Sequence, residues 1–242
     1  MRKLIASAAF CVLFCTGGAN AAVTKLDGCT FQNSGGGVTT FIYTGTDAGG
    51  EGTLTNSVML AYVVFPQNSP VSGVTASWNG SAMTAITGAS GSPNGSSSLV
   101  QLFGILNPAP ATNNLVVNWT GTASVTICAV TFNGTNQAAG FANTFKNGTI
   151  ATNVTAGTAA SVAVTSATGN IAAGAVIDDN HSAFVTMGNT PNYTDNASSF
   201  ANGGTHDVGA PTVSLNASYR GDSFWAFVGV DIAAASTSPL AR

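Results

Sequence analysis

The densest run of groups able to do chemistry is Asp178-Asp179-Asn180-His181, followed by Asp195, His206 and Asp207. Carboxylates and amide oxygens of this kind are ligands for a hard cation such as Ca²⁺, and a histidine near an aspartate suits general acid or base work. Asp178 and Asp179 are therefore the candidate metal ligands. The run lacks the spacing of an EF-hand loop, and Asp179-Asn180 at the end of a strand also suits an ordinary turn.

A glycosidase needs two carboxyl groups facing each other roughly 5 to 9 Å apart. Glu51 is the only glutamate, and nothing in the spacing of the aspartates forces such a pair. The chain has no Gly-x-Ser-x-Gly elbow, no phosphate-binding Gly-rich loop, no His-Glu-x-x-His and no Cys-x-x-Cys. These absences point to a non-catalytic protein without a cofactor.

Aromatic rings offer a second kind of chemistry, because sugar-binding sandwiches use exposed rings as platforms. Trp78 keeps phase with Val74 and Ala76, and Trp119 with Leu115 and Val117, so both point to a core. Trp225 shares a face with Phe227, Gly229 and Asp231 while Phe224, Val228, Val230 and Ile232 take the other. It is either buried on a second side or displayed for contact. The stretch Asn189 to Gly209 has few large apolar residues, suggesting a long loop that presents Tyr193 and Phe200. Trp225, Phe227, Tyr193, His206 and Asp207 form the candidate binding set.

The elements that must position these groups are strands. Runs of Val, Ile, Thr and Phe recur between clusters of Gly, Asn, Ser and Pro, which predicts an all-β protein of about a dozen strands. Asn79-Gly80 sits between two of them and predicts a tight hairpin. Val213, Leu215, Ala217 and Tyr219 alternate with Thr212, Ser214, Asn216 and Ser218, as in a strand with one wet face. Val58 to Phe65 is apolar on both faces and predicts a central strand.

Arg2 and Lys3 precede a short apolar run, Leu4 to Phe14, and Ala19-Asn20-Ala21 fits a signal-peptidase site. Residues 1–21 are thus expected to be a signal peptide, which makes the remainder secreted or cell-surface. Without Arg2 and Lys3 the chain has four basic and nine acidic residues, a net charge of −5. Its bases, Lys25, Lys146, Arg220 and Arg242, are scattered, which excludes a phosphate-binding surface for nucleic acid. No later apolar run is long enough for a membrane-spanning helix. Cys29 and Cys128 remain as an even pair and are expected to bond in an oxidising compartment.

The segments Val71 to Thr84, Leu102 to Pro108, Val130 to Gly134 and Ser223 to Val228 together resemble a jelly-roll-like β-sandwich module. It recurs in bacterial secreted and surface proteins and in phage structural proteins. The resemblance spans roughly residues 36 to 232 and implies an architecture without implying an activity. The expected plan is an N-terminal segment over 22–37, a single jelly-roll-like antiparallel β-sandwich domain over 38–232, and a tail over 233–242. A surface solvated by hydroxyls and amides, with little charge to repel copies, predicts a structural, self-associating extracellular protein. The alternative is an adhesive module for surface glycans.

Overall fold

A strand that is apolar on both sides must be covered on both sides. The computed structural model describes residues 22–26, 29, 31–48, 54, 56–66, 70–138, 140–179, 185–195 and 201–236. It meets this demand by stacking antiparallel sheets in four layers. The expected signal peptide, residues 237–242 of the expected tail, and Asn180, His181 and Phe200 lie outside the described residues.

The first half of the chain holds β1 (Thr24–Lys25), β2 (Gln32–Asn33), β3 (Val38–Ala48), β4 (Val58–Phe65), β5 (Ser72–Trp78), β6 (Ser81–Gly91), β7 (Leu99–Leu106), β8 (Ala111–Ala123) and β9 (Thr126–Asn133). A single turn of helix, α1 (Phe141–Thr144), leads into the second half. There follow β10 (Phe145–Thr152), β11 (Gly157–Thr165), β12 (Ile171–Asp178), β13 (Val185–Met187), β14 (Thr190–Asp195), β15 (Asn202–Val208), β16 (Thr212–Ser223) and β17 (Trp225–Ile232). The protein is an all-β antiparallel sandwich, as its sequence pattern predicts.

The two halves have the same topology. In the first, one sheet turns over at the β5–β6 pairing, so that an outer layer runs β3-β8-β5 and an inner layer runs β6-β7-β4-β9, with β1 and β2 on the far side of β9. In the second, the outer layer is β11-β16-β13 and the inner layer β14-β15-β12-β17, with β10 on the far side of β17. Register agrees as well as order: Val58 pairs Phe132 where Ile171 pairs Ile232, and Tyr43 pairs Leu115 where Val162 pairs Leu215. Residue n of β8 and β9 therefore corresponds to residue n + 100 of β16 and β17. Even a bulge is kept, after Ala85 in β6 and after Pro191 in β14.

Three cores fill the spaces between the four layers. Met59, Phe65, Trp78, Leu115 and Trp119 lie between the sheets of the first half, and Val162, Val176, Leu215 and Phe227 between those of the second. The largest core joins the halves, with Leu60, Tyr62, Val64 and Val130 facing Ala173, Ile177, Val228 and Val230. The halves thus form one packed body. Strands β4, β12 and β17 are buried at every residue because each belongs to an inner layer.

Local chemistry explains the joins. Asn79 and Gly80 both take positive φ, 46° and 78°, which gives the tight turn expected between β5 and β6. At the rim where the halves meet, β6 and β10 cross so closely that a Cβ on Gly148 would strike the Thr87 carbonyl. The Cys29–Cys128 disulfide, with Cα atoms 5.7 Å apart, ties the segment between β1 and β2 to β9. The second half has Val228 at the corresponding place. There a single strand, β10, follows β17 from Phe145 to Thr152 with one bulge between Lys146 and Thr149, so main-chain pairing holds the edge that the first half also ties covalently.

The stretch from Asn189 to Gly209 differs from its expected loop, for it contains β14 and β15. Its lack of large side chains has a packing cause. A Cβ on Gly203 would lie 2.9 Å from Met187 Sδ, and one on Gly204 would lie 2.6 Å from Tyr193 Cε1. Neighbouring side chains fill the space that β15 leaves.

Candidate functional site

The residues singled out in the sequence separate into three places. Trp225 and Phe227 point between the sheets of the second half, where both are buried. Tyr193 is buried in the core between the halves, against Tyr62 and Phe31 at centroid distances of 6.0 and 5.9 Å. None of these rings forms an exposed platform, because each belongs to a strand covered on that side. His206 and Asp207 are neighbours on β15, so their side chains leave on opposite faces.

His206 stands edge-on to Phe132, and burial, with the Lys25 charge, lowers its pKa to about 4. Its imidazole is neutral at ordinary pH. Asp207 accepts from Asn189 Nδ2 at 2.8 Å, while Asn189 Oδ1 accepts from the Asn216 N–H at 2.7 Å, a clamp between β15 and β16. Asp195 accepts from Thr126 Oγ1 at 3.1 Å and so joins the halves. Asp231, absent from the candidate set, accepts from Ser166 Oγ at 2.6 Å and from Asn170 Nδ2 at 2.8 Å. Burial raises its pKa, and those two donors oppose the rise. Each of these carboxylates braces the architecture.

Asp178 is the exception. It closes β12, is fully buried, and neither carboxyl oxygen makes a hydrogen bond of good geometry, although the Ala201 main chain and the Ser223 hydroxyl stand near. Burial raises its pKa to about 8, against the pull of those two groups toward the charged form. Tyr219, close enough to feel its charge, and Trp225, directly opposite on β17, also have unpartnered polar atoms, the phenol oxygen and indole Nε1. In the first half Phe65, Trp119 and Val125 occupy the corresponding places, with the Phe65 and Trp119 rings edge to face at 4.9 Å. The fold itself therefore has no need of a carboxyl there.

Asp179, the other candidate metal ligand, is half exposed and donates its N–H to the Phe224 carbonyl at 3.0 Å. Among the described residues no three His, Cys, Asp or Glu side chains gather as a metal would require. No family model, curated protein or solved structure matches the chain. Function must be argued from its own surfaces.

Two features of that surface were not legible in the sequence. One is a cleft of about 480 Å³ along the rim where the halves meet. It is lined by Thr84 and Thr87 of β6, Phe141 and Asn143 of α1, and Lys146 and Asn147 at the start of β10. The half-buried Phe141 ring rests on Phe145, centroids 4.9 Å apart. The other is the set of sheet edges, which only the strand order defines.

Proposed function

We propose that the protein is a non-catalytic extracellular structural protein that associates with copies of itself. The observation that carries this reading is the fate of its acidic groups: Asp195, Asp207 and Asp231 are engaged in clamps between strands. Trp225 and Asp178 are buried, and among the described residues no three His, Cys, Asp or Glu side chains gather. The outer strands offer mainly hydroxyls, amides and small apolar groups, with Asp47, Arg220 and Asp222 their only charged residues, which leaves little to keep copies apart. The disulfide suits an oxidising compartment, and no helix among the described residues is long and apolar enough to cross a membrane. Sedimentation and electron microscopy of the purified protein test the reading. Assemblies that grow with concentration support it, and a monomer at every concentration ends it.

A second reading, an adhesive module for surface glycans, is favoured by the rim cleft. There Phe141 offers a ring and Asn143, Asn147 and Lys146 offer polar groups. It replaces the buried Trp225 and Tyr193 as the place to look. Binding on a glycan array that is lost with Phe141→Ala supports it, and binding unchanged by that substitution removes the cleft from consideration.

A further inference from the structure

The rim cleft stands where the repeated topology breaks, for the first half closes the corresponding edge with β1, β2 and the disulfide in place of β10. Two irregular stretches meet there. The pairing of β6 with β7 shifts between Ala85 and Ser90, and that of β10 with β17 between Lys146 and Thr149. Gly88 takes φ 81° and Asn147 φ 51°, and the two main chains come so close that a Cβ on Gly88 would lie 2.4 Å from the Gly148 oxygen. Bulges re-aim side chains, and they recur at sheet edges and beside active sites.

What these bulges frame is a mixed surface. Phe141, half-buried against Phe145, gives the cleft an aromatic side chain. Thr84 and Thr87 of β6 and Asn147 of β10 are exposed and give it hydroxyls and an amide. An apolar ring beside such groups suits a sugar, which has an apolar C–H face and a margin of hydroxyls. The volume of about 480 Å³ falls within the range of small-ligand pockets, roughly 300 to 1,000 Å³.

Lys146 adds a charge, and no other charged residue among those described lines the cleft. Asp231 stands opposite it across the pairing of β10 with β17 and feels its charge. Yet Asp231 is buried and its oxygens are engaged by Ser166 and Asn170, while Lys146 is half-exposed and forms no ion pair among the described residues. The ammonium is therefore open to an acid group carried by a ligand. Resting on the glycan reading above, we propose that the rim cleft binds an anionic sugar, a uronate or a sulfate ester, whose acid group meets Lys146 while its ring lies on Phe141. The two acids share this chemistry, because an ammonium is a point charge without the fork that would tell them apart.

Calorimetric titration of the full chain with two matched pairs of probes is the test: trigalacturonate and its methyl ester, and a sulfated galactan oligomer and its desulfated form. A charged probe is expected to bind about two- to fivefold more tightly than its neutral twin, the worth of one exposed ion pair. That advantage should vanish in about 1 M salt, where charges are screened within about 3 Å. Lys146→Gln should erase it without changing the affinity of the neutral twin, Lys146→Arg should keep it, and Phe141→Ala should abolish binding of every probe. Circular dichroism confirms the β fold of each variant. A preference within the first pair alone assigns the uronate, one within the second alone the sulfate ester, and one within both the shared class. Neutral probes bound as tightly as charged ones, or a preference that survives Lys146→Gln, overturn the inference and leave the glycan reading standing. Failure of all four probes to bind also overturns it, and the glycan array then decides that reading separately.

Discussion

Asp178 stands directly opposite Trp225 across the pairing of β12 with β17, where the corresponding strands of the first half carry Phe65 and Val125. Two copies of one topology have solved the same packing problem differently, once with a dry plug and once with a buried carboxyl beside a phenol and an indole. The polar solution costs stability unless the carboxyl is neutral, because an isolated charge in such a place is strongly disfavoured.

Stability should therefore fall as pH rises. The folded-state pKa of Asp178, about 8, lies above its ordinary value of 3.8, so the folded protein holds a proton that the unfolded chain has released. Its contribution is complete below about pH 4 and is lost progressively up to about pH 8, with a slope of at most about 1.4 kcal/mol per pH unit. His206 acts oppositely, since its folded pKa is lowered from 6.5 to about 4 and its contribution is lost as pH falls through that window. Between about pH 6.5 and 8 Asp178 is the dominant group of the two. Urea unfolding across that range should show a declining midpoint for the parent and a nearly flat one for Asp178→Asn.

Replacing the carboxyl by the first half's solution should stabilise the fold. Asp178→Leu removes two buried oxygens that lack well-formed hydrogen bonds, and at pH 8 the gain is expected to be about 1 to 3 kcal/mol. Thermal unfolding checks this. A loss of comparable size instead would mean that Asp178 has a partner of real strength.

How much of this was readable beforehand depends on which physical signal each element leaves. Alternation points Val213, Leu215, Ala217 and Tyr219 inward, and all four are buried. The two apolar faces of Val58 to Phe65 predict a central strand, and β4 is paired on both sides and buried throughout. β15 escaped notice because Gly203 and Gly204 leave no apolar pattern while Met187 and Tyr193 fill the space from outside. The repeat is equally silent, since register and burial are kept while side chains change, as from Tyr62 to Ala175 or Trp119 to Tyr219. In the sequence Asp178 is one acid among several, and nothing there says that its strand stays buried to its last residue.

The disulfide should matter to one half more than the other. Removing it with Cys29→Ser and Cys128→Ser frees a loop spanning 99 residues and should cost about 2 to 5 kcal/mol. Hydrogen exchange should show β1, β2 and their pairing with β9 opening first, while β10 on β17 stays protected. Uniform loss of protection would contradict the division of labour between covalent and main-chain closure.

The close crossing of β6 and β10 makes a sharper prediction, because space and backbone angle can be separated there. Gly148 has no positive φ, yet its Cβ would meet the main chain at Thr87, which cannot swing aside as a side chain can. Gly148→Ala should therefore force the strands apart and destabilise by about 2 to 4 kcal/mol, at the upper end of ordinary single substitutions. Gly36 also lacks a positive φ and has no atom within 4 Å of its Cβ position, so Gly36→Ala should change stability by less than about 0.5 kcal/mol. Denaturant midpoints for the pair decide the matter. Equal effects would mean that the rim between the halves yields easily, and the Phe141 cleft beside it would then be expected to change shape with it.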